Sequence, residues 1–236
     1  MTLGLYVHIP FCRHKCLYCD FPSYAGLERY CQGYVEALCR DIAASPYTGE
    51  GADTVYVGGG TPSMLEAGDV SCILKTLRQT FCIASDAEIT IEANPDSLDY
   101  DKAAALADCG VNRLSLGVQS LSDAMLAFLG RVHTAAQGEA AIQAAYAAGI
   151  HNLSLDLMYG LPGQDLAGAL ADVNTALALG PTHLSCYQLT LEPNTRFGHT
   201  PPPGLPEGDS CADMQDAIEA RLAEADTALA AIDQAE

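Results

Sequence analysis

Short apolar runs alternate along the chain with longer stretches whose apolar residues recur every three or four positions. The first run is L-G-L-Y-V-H at 3–8. It is followed by T-V-Y-V at 54–57, E-I-T-I-E at 88–92, R-L-S-L-G at 113–117, N-L-S-L-D at 152–156 and H-L-S-C-Y-Q at 183–188. Short apolar runs of this length, each followed by a loop and a helical stretch, predict strands. Between them a helical period predicts helices over 27–45, where Tyr30, Tyr34, Leu38 and Ile42 share a face, then over 68–80, 101–109, 135–148 and 166–179. Gly110, Gly149 and Gly180 stop three of them. Six βα units in strict alternation imply an α/β fold with a parallel sheet. Periodicity alone does not decide between a doubly wound sheet and one that curls into a barrel. Beyond the sixth run, T-P-P-P-G-L-P at 200–206 reads as a stiff, helix-breaking linker. The Ala-, Asp- and Glu-rich stretch 209–235 reads as a last helix, with no seventh strand. The expected division is a core over 1–199 and a linker with a C-terminal helix over 200–236.

Polar groups gather where the strands end. The first ends at Tyr6 and His8, and the second runs into G-G-G-T-P at 58–62. The third ends at Glu92 and Asn94, the fourth at Gln119, and the fifth at Asp156, Tyr159 and Gly160. The sixth ends at Tyr187, Gln188 and Thr190. One such residue is a solvated strand terminus. Six strands doing the same predict a single functional rim at the carboxyl ends. Glycines lack Cβ atoms and allow backbone to approach a ligand. The G-G-G-T-P run lacks the Lys-Ser/Thr of a phosphate-binding loop, and it is not G-x-G-x-x-G.

Charge and cysteine content narrow the chemistry. A formal net charge of −19 argues against nucleic acid as the main partner, because phosphate contacts need clustered Lys and Arg. No run of 18 apolar residues predicts a membrane span. The N-terminus has no basic segment or cleavage site of a secretory signal, so the expected compartment is the cytoplasm. There, ten cysteines are expected to be thiols rather than a disulfide framework. Seven are scattered, and most of them read as small core hydrophobes.

The other three are clustered in F-C-R-H-K-C-L-Y-C-D-F at 11–21. Cys12, Cys16 and Cys19 can hold three corners of a 4Fe–4S cluster, leaving one iron free for a small molecule. A structural zinc with His8 or His14 as fourth ligand is the alternative. A redox pair of Cys16 and Cys19 leaves Cys12 unexplained.

C-x3-C-x2-C after a first strand, with G-G-G-T-P after the second, resembles the radical S-adenosylmethionine (SAM) proteins. L-Y-V-H-I-P-F-C, V-G-G-G-T-P-S, I-T-I-E-A-N-P, N-R-L-S-L-G-V-Q-S, L-G-R-V-H, L-D-L-M-Y-G-L-P-G-Q and Y-Q-L-T-L-E-P-N-T resemble the oxygen-independent coproporphyrinogen III oxidase group within them. The resemblance implies a partial (β/α)6 barrel. It implies that Cys12, Cys16 and Cys19 ligate a 4Fe–4S cluster whose open iron chelates SAM. Tyr6, Gly59 and Glu92 match positions that contact this SAM. Tyr18, Gly60, Thr61, Gln119, Arg131, Asp156 and Thr190 match positions lining a second SAM pocket in the oxidases.

Two departures refine this. The oxidases carry a further cysteine where this chain has Phe21. The C-D-F form resembles the sister group of HemW-type heme chaperones, which implies heme as a further ligand and an apo-hemoprotein as acceptor. Oxidative decarboxylation of coproporphyrinogen III in porphyrin biosynthesis is the enzymatic alternative. His14, His133 and His199 are available as axial ligands, and their spacing selects none. The resemblance also leads one to expect a separate C-terminal domain, which the stretch after Ala225 does not resemble.

Overall fold

A computed structural model describes residues 2–225 and the backbone of 228–229. In chain order its elements are β1 (Leu3–Ile9), β2 (Phe11–Cys12), β3 (Tyr24–Ala25), α1 (Cys31–Ala43), β4 (Gly51–Gly59), α2 (Ala67–Thr80), β5 (Cys82–Ala93), α3 (Tyr100–Asp108) and β6 (Arg113–Gln119). They continue as α4 (Asp123–Leu129), α5 (Ala135–Ala147), β7 (Asn152–Tyr159), α6 (Leu166–Ala178), β8 (His183–Gln188), α7 (Arg196–His199), α8 (Gly208–Glu224) and β9 (Ala228–Leu229). Among the described residues, seven strands form one sheet in the order β1-β4-β5-β6-β7-β8-β9. Every pairing is parallel.

That order settles the topology left open by periodicity. A doubly wound sheet reverses its strand order at a switch point. Here spatial order follows chain order, and right-handed crossovers then put all helices on one side. This is the winding of a barrel. Among the described residues the edges β1 and β9 do not pair with each other, and the barrel is partial and open.

Four central strands show why the sheet has two unlike faces. Ile89, Ile91, Leu114, Leu116, Leu153, Leu155 and Leu184 alternate with Thr90, Glu92, Ser115, Ser154, Asp156 and Ser185. The apolar set is buried under the helices with Ile73, Leu74, Leu77, Leu106, Ile142, Val173 and Ile218. The polar set faces the concave side. Parallel strands covered on both faces usually read as continuous apolar runs, so this alternation marks an interior kept polar.

The C-terminal expectation is corrected. The helix predicted over 209–235 stops at Glu224, and Ala228–Leu229 pairs in parallel with His183 and Leu184 as a short seventh strand. Positions 226–227 and 230–236 lie outside the described residues. Helix α8 packs Met214, Ile218 and Leu222 into the same core as the other helices.

Helix α4 is too short to show a helical period and was not expected. Gly130 ends it with φ 74°, a left-handed conformation that glycine adopts without strain. Buried Asp172 of α6 fixes the turn before α4. Its carboxylate accepts from Ser120 Oγ at 2.7 Å and from Leu121 N at 3.0 Å. Asp172→Ala leaves both donors without this partner, and Ser120 is fully buried. The expected loss is about 2–3 kcal/mol of unfolding free energy, read by urea denaturation. A loss below about 0.5 kcal/mol would show that the turn is held by other contacts.

Candidate functional site

The cysteine loop leaves β1 at the carboxyl rim and is tied down at several points. Tyr24 N donates to Pro10 O at 2.8 Å, which pairs β3 with β2. Leu17 N donates to Leu129 O at 3.3 Å, at the end of α4, and Leu17 O accepts from Phe197 N of α7 at 3.0 Å. Leu17 and Tyr18 pack on a small apolar cluster of Leu129, Met158, Leu161, Leu189 and Phe197. Lys15 closes the loop, its Nζ donating to Phe21 O at 2.6 Å and Ser23 Oγ at 2.9 Å. Phe21 acts through its carbonyl, and its ring is 68% exposed.

All three loop cysteines are free thiols, Cys12 buried and Cys16 and Cys19 half-buried. Cys19 N donates to Cys16 O at 3.3 Å, so the last two sit in one turn. Among the described residues, no three His, Cys, Asp or Glu side chains gather as ligands of one metal ion. A cuboidal cluster instead asks each thiolate to meet a different iron. His8 uses both ring nitrogens inside the protein. Nε2 lies 2.9 Å from Pro22 O, which can only accept, so Nε2 is the donor and Nδ1 accepts from Tyr6 Oη at 2.9 Å. His14 is exposed.

The glycine run meets three different neighbours. A Cβ on Gly58 would lie 2.9 Å from Glu92 Oε1. On Gly59, at φ 123°, it would lie 2.7 Å from the His8 ring. On Gly60 it would lie 2.4 Å from Phe11 O and 2.9 Å from Cys12 Sγ. Bare backbone therefore lets the end of β4 slide beneath the cysteine loop. Gly60 N donates to Ile9 O at 2.9 Å, and Thr61 N to Phe11 O at 2.7 Å.

On one side of the loop, Glu92 accepts from Tyr56 Oη and from Gly59 N, both at 2.8 Å. Tyr6 stacks on Tyr56 with centroids 6.1 Å apart. Burial raises the Glu92 carboxyl above its ordinary range, opposed by the Tyr56 and Gly59 hydrogen bonds and by His8. On the other side, Thr61 Oγ1 lies 3.6 Å from Cys12 Sγ and accepts from Asn94 Nδ2 at 3.0 Å. Arg131 Nη2 donates to Asn94 Oδ1 at 2.7 Å and Gly117 O at 2.6 Å, while Nη1 reaches Cys16 Sγ at 3.5 Å. A small cavity at this point is lined by Cys16, Thr61, Asn94, Gly130 and Arg131.

Further round the rim, Gln119 has φ 69°, the only positive φ at a non-glycine among the described residues. It accepts a hydrogen bond from Tyr187 Oη. Such backbone strain persists where surrounding contacts enforce it, commonly at functional sites. Asp156 receives Ser115 Oγ at 3.3 Å. Thr190 lies two residues beyond β8. His133 is buried, its Nε2 3.1 Å from Val118 O, and burial followed by nearby Arg131 lowers its pKa to about 4.

The structure thus joins Tyr6, Gly59 and Glu92 in one network. A second contains Cys12, Cys16, Gly60, Thr61 and Arg131. Gln119 and Thr190 follow round the same rim, and Asp156, expected at the end of its strand, lies below it on the concave face because β7 continues to Tyr159. Tyr56, Ser115 and Lys15 were not singled out from the sequence. For Tyr56 and Ser115 the available signal was alternation, since each takes the polar parity of its strand. Lys15 had no signal beyond its place between two loop cysteines.

Asp156 carries a stability consequence. Burial, and then the charge of Glu92, push its carboxyl from the ordinary 3.8 to about 7. The folded state therefore binds the proton more tightly than the unfolded chain. Its contribution is favourable at low pH and is lost as pH rises from about 4 to 7. In the ligand-free protein, Asp156→Asn is expected to raise stability at pH 8 by on the order of 3 kcal/mol. The gain should vanish near pH 4. Thermal unfolding at both pH values is the measurement, and equal midpoints at pH 8 would show that the carboxylate carries no burial penalty.

The Radical SAM superfamily model matches residues 6–174. The chain is 43% identical over 217 residues to the heme chaperone HemW of Escherichia coli K12, covering 90% of this chain and 57% of that one. It is 44% identical over 203 residues to the heme chaperone HemW of Synechocystis, covering 84% and 49%. The structure of coproporphyrinogen III oxidase (HemN) from Escherichia coli, described as a radical SAM enzyme, superposes with a TM-score of 0.87 at 29% identity. That match covers 95% of this chain and 53% of the oxidase. This chain therefore spans about half the length of the relatives it matches. The superfamily match takes in the cysteine loop, the glycine run and both carboxylates, and the chain belongs to the radical SAM superfamily.

Proposed function

We propose that this chain forms the cluster- and SAM-binding core of a heme chaperone of the HemW type. Cys12, Cys16 and Cys19 hold a 4Fe–4S cluster. The donor set fits, with three free thiols on a loop whose approach to β4 requires Gly60 to lack a Cβ. When bound, such a cluster with one iron free of cysteine chelates SAM and can pass an electron to its sulfonium. The chain's own groups supply the rest. Glu92, fixed by Tyr56 and Gly59, accepts from an ammonium group, and Tyr6 offers an aromatic face. Arg131 places a guanidinium against Cys16 and offers donors to a carboxylate. Tyr18, Gly60, Thr61, Gln119 and Thr190 line the remaining rim, with Asp156 on the concave face below it. Asp156 is suited to accept from ribose hydroxyls.

The observation that carries the chaperone reading is the C-D-F sequence, with Phe21 where the oxidases have a further cysteine, in a chain 43–44% identical to HemW relatives. Fold similarity to the oxidase favours the second reading, turnover of coproporphyrinogen III.

Anaerobic reconstitution with iron and sulfide is expected to give about four of each per chain. The reduced protein should show an electron paramagnetic resonance signal that shifts when SAM is added. Cys16→Ser should lose that signal. Bound zinc, or a signal indifferent to SAM, would sink the cluster reading. A heme Soret band without coproporphyrinogen turnover separates chaperone from oxidase.

At Gly60 the expectation is sharper. Gly60→Ala must displace Phe11 and Cys12, so the variant should fold yet bind less than about a tenth of the wild-type iron. Full iron loading would show that the close approach is not needed.

A further inference from the structure

Cys39 and Cys72 lie outside the rim. Cys39 is on α1 and Cys72 on α2, and their sulfurs stand 3.6 Å apart. Both are free thiols, Cys72 exposed and Cys39 half-buried. The two helices are neighbours, anchored in the core through Val35 of α1 and Val70, Ile73, Leu74 and Leu77 of α2. A disulfide needs sulfurs about 2.0 Å apart on Cβ atoms about 4 Å apart. The sulfurs, 3.6 Å apart, stand in van der Waals contact about 1.6 Å from bonding distance, a gap of the size that side-chain rotation closes.

The surroundings give the two thiols different parts. Cys72 is open to a dissolved reagent. Cys39 is shielded, and burial raises its pKa, opposed by the Thr76 hydroxyl. An accessible thiol beside a shielded one is the arrangement of an attacking and a resolving cysteine.

We propose that Cys39 and Cys72 form a thiol–disulfide exchange site that takes small soluble disulfides of the glutathione class and closes a bond between α1 and α2. The Cys72 thiolate attacks one sulfur of the small disulfide. The S–S bond breaks and one small thiolate leaves. The Cys39 thiol gives up its proton, and its thiolate attacks Cys72 Sγ in the mixed disulfide, expelling the second small thiolate. Two electrons pass from the protein dithiol to the small disulfide, and the two thiol protons go to the released thiolates.

The bond links positions 33 apart in sequence. It also ties a helix that supports the cysteine loop. Tyr34 of α1 donates to His8 O at 2.7 Å, and its ring meets Phe11 edge-on with centroids 5.3 Å apart. Phe11 directly precedes Cys12, so oxidation at the outer surface stiffens the support of the rim.

The test is anaerobic incubation of the full chain with oxidised glutathione, followed by acid quench, alkylation and peptide mass mapping. The expected product is a Cys39–Cys72 linkage two hydrogens lighter than the dithiol. Its melting temperature should lie above the reduced form by on the order of 5 °C. Cys39→Ser should stop at a glutathione adduct on Cys72. Cys72→Ser should slow thiol loss at Cys39 by at least about tenfold. The proposal is overturned if both thiols remain alkylatable in excess oxidised glutathione, if Cys39→Ser leaves no adduct on Cys72, or if the linked form melts no higher than the reduced one.

Discussion

The close passage of bare backbone beneath the cysteine loop is the constraint on which the rest of the site depends. Gly60 lies where any Cβ would strike Phe11 O and Cys12 Sγ. Because it has none, Gly60 N and Thr61 N can hydrogen-bond the carbonyls of Ile9 and Phe11 and continue the β1–β4 pairing into the loop. That sets the height of Cys12 above the sheet. It also turns Gly59 N toward Glu92, so one backbone path positions a thiol and a carboxylate together. A side chain at either glycine separates them.

The rim is assembled at a cost to stability. Glu92 and Asp156 share a half-buried concave face, and each is pushed toward its protonated form chiefly by burial. Tyr56, Gly59 N and Ser115 offset part of that penalty without neutralising either charge. The opposite face supplies the compensation. Its aliphatic residues are sealed under the helices, and burial of each is worth roughly 1.5–3 kcal/mol. Alternation within each strand makes this division possible, since one face can be selected for packing and the other for binding.

The same alternation explains what the sequence made legible. Six strands and their flanking helices followed from period 2 and period 3.6, and the polar strand ends identified the rim. Tyr56 and Ser115 escaped notice because each sits mid-strand, where a polar residue in an apolar run resembles noise until the parity of all strands is compared. Helix α4 escaped because seven residues make too few turns to display a period. Strand β9 escaped because Ala228 and Leu229 look helical beside their alanine-rich neighbours. Tertiary pairing with β8 overrides that local preference.

The cysteine motif is local in sequence, but the forces that order it are not. Within 11–21, the Cys16–Cys19 turn and the Lys15 contact to Phe21 O are internal. Further restraints come from Thr61, itself held by Asn94, from Leu129 and Arg131 at and just beyond the end of α4, and from Phe197 on α7. Arg131 is 115 positions from the Cys16 it touches. An excised loop keeps three thiols but none of these anchors, and must pay the full entropy of ordering itself around a ligand. In the barrel that cost is met during folding, since α4 and α7 hold the loop through one shared apolar cluster. The cysteine loop therefore takes its shape from the whole arc from β1 to α7, although its most recognisable signature occupies eleven residues.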